Sequence, residues 1–191
     1  MEPARLEAFT DGVIAIIITI MVLEIRVPQG TDLAALRADV PLLLAYVLSY
    51  VNVGIFWNNH HHMLHVTERV NGRVLWANLA LLFWLSLVPF VIRWLDEAGF
   101  TALPTAAYGV VLACAAVCYT VLQRQIIAAN GDDSRLAVAT GHDLKGKLSI
   151  ILYLSAIVLA FVRPAIALVL YVTVALIWLV PDTRIESGVK P

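Results

Sequence analysis

Charge is what this sequence has least of. Only 14% of its 191 residues are Asp, Glu, Lys or Arg, where a soluble domain carries about a quarter. The 61% that are hydrophobic fall in long runs, not in stripes of period 2 or 3.6, so the chain reads as an integral membrane protein. With a formal net charge of −1, nothing in the balance favours nucleic acid. Cysteine is scarce too. Cys114 and Cys118 lie four apart in an apolar stretch, on one face of one helix, and read as packing residues, not as a disulfide or metal pair. The first apolar run lacks a basic leader and an A-x-A exit and contains Asp11, so it reads as a mature helix and not a cleaved signal. No H-E-x-x-H, G-x-S-x-G or carboxylate pair occurs, which leaves no catalytic residue to nominate.

What is present is a series of spans. A helix needs about 20 apolar residues to cross the hydrocarbon. The runs predict helices over about 8–27, 40–64, 74–95 and 103–128, with Pro41 and Pro104 in first turns. The last apolar region, Leu148 to Val180, is interrupted by Arg163-Pro164 and splits into 148–162 and 164–180. The expected fold is all-α: one domain, 1–191, of six transmembrane helices, with no soluble domain and no clear repeat. Six crossings put Arg5, Arg69, Arg73, Arg124, Arg135, Lys145, Lys147, Arg184 and Lys190 on one side. They put Arg26, Arg37, Arg93 and Arg163 on the other. The richer side faces the cytoplasm, so both termini are expected there, in a multi-pass protein of the cell membrane.

The first helix begins oddly. Arg5-Leu6-Glu7-Ala8-Phe9-Thr10-Asp11-Gly12 carries charge into the membrane boundary. An unpaired carboxylate there costs about 2–3 kcal/mol. Two readings stay open: Thr10 and Asp11 cap free N–H groups at a helix start, or Asp11 belongs to a polar network in which Arg5 approaches it. Trp57-Asn58-Asn59-His60-His61-His62, with His65, is the second polar concentration. It reads as interfacial histidines, as a network holding the first helix, or, through His61 and His65 at i, i+4, as a metal pair.

Arg5-x-x-x-Phe9-Thr10-Asp11, followed by Gly-Val-Ile-Ala-Ile-Ile-Ile-Thr-Ile, resembles the Arg-x-x-x-Phe-Ser-Asp signature of the endolysosomal potassium channel family. Thr10 replaces the usual serine and keeps its hydroxyl. The aromatic and histidine-rich second helix, with Phe56, Trp57, His60 and His61, extends the resemblance. So do Asn78 and Pro89-Phe90 in the third.

The resemblance implies a channel whose first helix lines a central pore, with a constriction of branched apolar side chains and no carbonyl filter. This chain has no Thr-Val-Gly-Tyr-Gly either. The family's constriction lies five residues after the signature aspartate, here Ile16, with a threonine layer at Thr19 and Leu23 one turn further. Positions 16, 19 and 23 share a helix face, and four copies would stack their rings over about 10 Å of axis. An apolar ring can gate by dewetting, and a hydroxyl ring can replace part of an ion's water. The resemblance also implies a homotetramer of six-helix chains. It implies a structural network of Arg5, Phe9, Thr10, Asp11, Trp57, His61 and Asn78.

The expected function is a potassium channel with modest selectivity over sodium. K+ is the permeant ion, no cofactor or bound metal is needed, and the partners are membrane lipid and further copies of the chain. An ion-coupled secondary transporter is the alternative. Its matching halves and broken helices are not evident, because the polar residues sit in the first half only.

Overall fold

The computed structural model describes residues 2–140 and 143–179. Among them every regular element is an α-helix: α1 Pro3–Leu23, α2 Leu33–Ala38, α3 Val40–His65, α4 Gly72–Ser86, α5 Val88–Glu97, α6 Ala102–Asn130, α7 Arg135–Thr140, α8 Leu144–Ala160 and α9 Pro164–Leu179. Val180 lies outside the described residues, as do Arg184 and Lys190, which entered the orientation argument.

Four helical runs are long and apolar enough to cross a membrane: α1, α3, α4 and α5 in series, and α6, of 21, 26, 26 and 29 residues. The chain is therefore a multi-pass membrane protein. The remaining apolar helices are shorter, 17 residues in α8 and 16 in α9.

Prolines and small polar caps explain the boundaries. α1 starts five residues earlier than its apolar run because Pro3 stands in its first turn, where the missing N–H costs nothing. It stops at Leu23, and the chain is irregular before Pro28, which disfavours helix at Val27. The expected single helix over 74–95 is a run of 26 residues interrupted at Leu87. Pro89 has no N–H to give and its ring crowds the carbonyl of Leu85. The backbone tightens there, with Leu87 N donating to Trp84 O at 3.2 Å. α8 begins at Leu144 and not at 148, because the Asp143 side chain accepts from Gly146 N at 3.0 Å. Two short helices were not expected. Asp32 caps α2 by accepting from Ala35 N at 2.9 Å, and the Ser134 hydroxyl lies 3.4 Å from Ala137 N at the start of α7.

α6 is the central pillar and packs on α4, α5, α8 and α9. It is closely seated. A Cβ at Gly109 would run into the Tyr171 hydroxyl, which donates to Thr105 O at 3.0 Å. Tyr108 meets Tyr171 edge-on at 5.4 Å between ring centroids. α1 stands to one side of this pillar and packs on α3, α4 and α5. It buries one stripe, Leu6, Thr10, Ile14, Ile17 and Met21, spaced by four, four, three and four.

Candidate functional site: the braced first helix

Because α1 starts at Pro3, Thr10 and Asp11 stand about two turns in, where the N–H groups are already spent within the helix. The capping reading is thereby replaced. Both side chains point at neighbouring helices instead.

Thr10 is fully buried and accepts from Asn78 Nδ2 of α4 at 2.9 Å. Asn78, also fully buried, uses its other end to accept from His60 Nε2 of α3 at 2.8 Å. One amide thus ties three helices together. Since the Asn78 oxygen can only accept, Nε2 of His60 carries a proton, an assignment that follows from the hydrogen-bond network. Its Nδ1 is buried with no partner.

A second layer lies nearer solvent. Trp57 Nε1 donates to Asp11 Oδ1 at 2.9 Å, and His61 Nδ1 meets Glu7 Oε1 at 2.6 Å. Glu7 and Asp11 are one turn apart on α1, as Trp57 and His61 are on α3, so the two pairs form rungs between facing helices. Trp57 and His61 also stack, with centroids 6.1 Å apart and planes at 24°.

The structure therefore brings together Thr10, Asp11, Trp57, His61 and Asn78. It does not join Arg5 to Asp11: Arg5 is exposed and no ion pair of the described residues includes it. Phe9 is exposed as well. His61 holds Glu7 and not Asp11. Two members were missed. Glu7 is four residues before Asp11 on the same face, a spacing that was there to be read. His60 and His61 differ by about 100° around the helix, and only tertiary packing tells which one is inward.

The opposite face of α1 is left uncovered by the described residues. Ile16 is 58% exposed and Leu23 79%, with Thr19 exposed between them, whereas Ile17 is 3% exposed. The Thr19 hydroxyl donates to Ile16 O at 2.9 Å, which leaves its oxygen lone pairs facing outward.

The far end of α1 is tied by charge. Arg93 of α5 reaches Glu24 at 3.7 Å and Glu97 at 2.9 Å, and Arg26 pairs with Asp96. Among the described residues no group of three or more His, Cys, Asp and Glu gathers to hold a metal. Cys114 and Cys118 are free.

A family model described as the endosomal/lysosomal potassium channel TMEM175 matches residues 5–89, which contain every residue of the two bracing layers. A potassium channel of Chryseobacterium sp. (strain P1-3) is 50% identical over 190 residues, 100% of this chain and 99% of that one. The chain belongs to the TMEM175 potassium channel family. The endosomal/lysosomal proton channel TMEM175 of Homo sapiens is 39% identical over 96 residues, 44% of this chain and 19% of that one. The crystal structure of a lysosomal potassium-selective channel TMEM175 homolog from Chamaesiphon minutus superposes with a TM-score of 0.77 at 25% identity. The match covers 94% of this chain and 97% of that one. Membership makes the protein a membrane channel, and the relatives it matches are named as channels.

Proposed function

We propose that four copies assemble with their α1 helices around a common axis and pass K+ in preference to Na+. Ile16 forms the narrowest ring, with the Thr19 and Leu23 rings beyond it toward the outside. α8 and α9 cross as the fifth and sixth spans, both termini are cytoplasmic, and the membrane is the cell membrane. Selectivity is modest, because side-chain rings lack the dense carbonyl cage of a filter loop. Asp11, Thr10, Trp57, His61 and Asn78, together with Glu7 and His60, hold α1 in its rotational setting. Arg5 and Phe9, which make no such contact within one chain, belong to the network through a neighbouring copy.

The observation that carries the reading is the uncovered stripe on α1, whose back is pinned by buried hydrogen bonds. A helix oriented this strictly presents one defined face. The Thr19 geometry fits as well, since an oxygen with free lone pairs can take the place of ion-bound water.

The test is thiol accessibility in liposomes that report K+ flux, in a background with Cys114→Ala and Cys118→Ala. Small charged thiol reagents should block flux through Ile16→Cys, Thr19→Cys and Leu23→Cys and leave Ile17→Cys unaffected. Block at Ile17→Cys with Ile16→Cys silent would mean the wrong face lines the path. A reporter fused after Pro191 should be cytoplasmic; a periplasmic signal removes the six-span topology.

A further inference from the structure

The inner ends of α4 and α6 are joined by one side chain. Asn130 Oδ1 accepts from Glu68 N and Arg69 N at 3.1 and 2.8 Å, and its Nδ2 donates to Arg69 O at 3.1 Å. Since the end of α6 meets the start of α4, the two helices run antiparallel. Beside this joint an open groove of ≈ 810 Å³ runs between them, lined by Gly72, Arg73, Trp76, Val121 and Gln125. Trp76 is 76% exposed. Arg73 is exposed, and so is Arg124, which lies on the same strip of α6 as Val121 and Ala128.

Depth separates the charges here. Trp76 is four residues into α4, about 6 Å from its start, and Arg124 is six residues before Asn130, about 9 Å from the end of α6. Both therefore stand at the level where a bilayer changes from headgroup to hydrocarbon. The acids of this end, Glu68, Asp132 and Asp133, lie outside the two helices, in the α3–α4 turn and the loop after α6. None of them reaches Arg73 or Arg124: no ion pair of the described residues contains either arginine. A guanidinium at this depth without a carboxylate is costly unless a lipid phosphate meets it. Tryptophan favours the same level.

We propose that this groove binds the headgroup of an anionic phospholipid, with its phosphate between Arg73 and Arg124, Gln125 as a neutral donor, and an acyl chain over Trp76 and Val121. A zwitterionic headgroup fits less well, because its ammonium would bring a third cation beside two that have no counter-charge. The inference is independent of which ion the pore conducts.

Fluorescence quenching by lipids brominated on their acyl chains tests it. Full-length protein is placed in phosphatidylcholine vesicles containing a minor fraction of brominated phosphatidylglycerol or of brominated phosphatidylcholine. The Trp76 contribution is the difference between the protein and Trp76→Phe. Brominated phosphatidylglycerol should quench that contribution more strongly, and Arg73→Gln and Arg124→Gln should each reduce the preference about fivefold. Arg124→Lys, which keeps the charge, should retain most of it and guards against a folding defect. Equal quenching by the two lipids overturns the proposal. So does a preference that survives in the double Gln variant. Absence of quenching by either lipid, with Trp76→Cys forming a disulfide between copies, overturns it in favour of a subunit contact.

Discussion

The two ends of α1 are held by different physics. At the N-terminal end Thr10, Asn78 and His60 are fully buried and joined by hydrogen bonds of 2.8 and 2.9 Å. At the C-terminal end Glu24, Arg26, Arg93, Asp96 and Glu97 form ion pairs whose arginines are about three-fifths exposed. Buried polar groups are expensive to leave unpaired, while exposed pairs are weak and screened by salt. The N-terminal end is thus a fixed mount, and beyond Met21 the charged pairs are a looser tether.

The largest effect should come from breaking the mount. Asn78→Ala strands the Thr10 hydroxyl and the His60 N–H together and should lower stability by roughly 2–4 kcal/mol, read as a loss of folded protein and a lower melting temperature in detergent. Asp11→Ala should follow, at about 2 kcal/mol, because it removes a charged acceptor from one indole in a more open layer. A melt indistinguishable from the parent for both variants would leave the mount without energetic content.

The comparison sharpens at the middle of the helix. Ile17→Asn places an amide in the core and should behave like the mount variants, with a loss of folded protein. Ile16→Asn, about 100° away, should fold normally, raise flux and reduce the preference for K+ over Na+ in liposome assays. If the two variants exchange behaviours, α1 is rotated from the setting described here.

The smallest effect should be at the tether. Arg26→Gln should change the melting temperature slightly at low salt and not at all at high salt, in a salt series run on both proteins. A shift that persists at high salt would mean that this end is a mount too.

Several of these distinctions were legible in the sequence and others were not. The long apolar runs fall on α1, α3, α6 and α9, since span length is a matter of composition, although α1 lies five residues earlier at its start and four at its end. The Asp11 anomaly was legible because a carboxylate in an apolar run demands a partner. Its partner Trp57 was named for the same network through the family resemblance, as was Arg5, which proximity along the chain also favoured but which makes no ion pair among the described residues. The choice between His60 and His61 depends on the rotational setting of α3, which no periodicity reveals in a helix that is apolar nearly all round. α2 and α7 escaped because single caps, Asp32 and Ser134, are faint signals beside runs of twenty apolar residues. The ion pairs beyond Leu23 join residues about seventy apart in sequence, and only the packing of α1 on α5 makes them neighbours.

The hydrogen bond from Asn78 to Thr10 also makes α1 a lever. A roll of the helix by one residue would put Phe9 or Asp11 where Thr10 sits and break the tie to His60, so rotation is closed as a low-energy motion. Tilting about Thr10 leaves that tie intact. From that fulcrum Ile16 lies about 9 Å along the axis and Leu23 about 20 Å. Any swing that the tether allows therefore carries Leu23 roughly twice as far as Ile16.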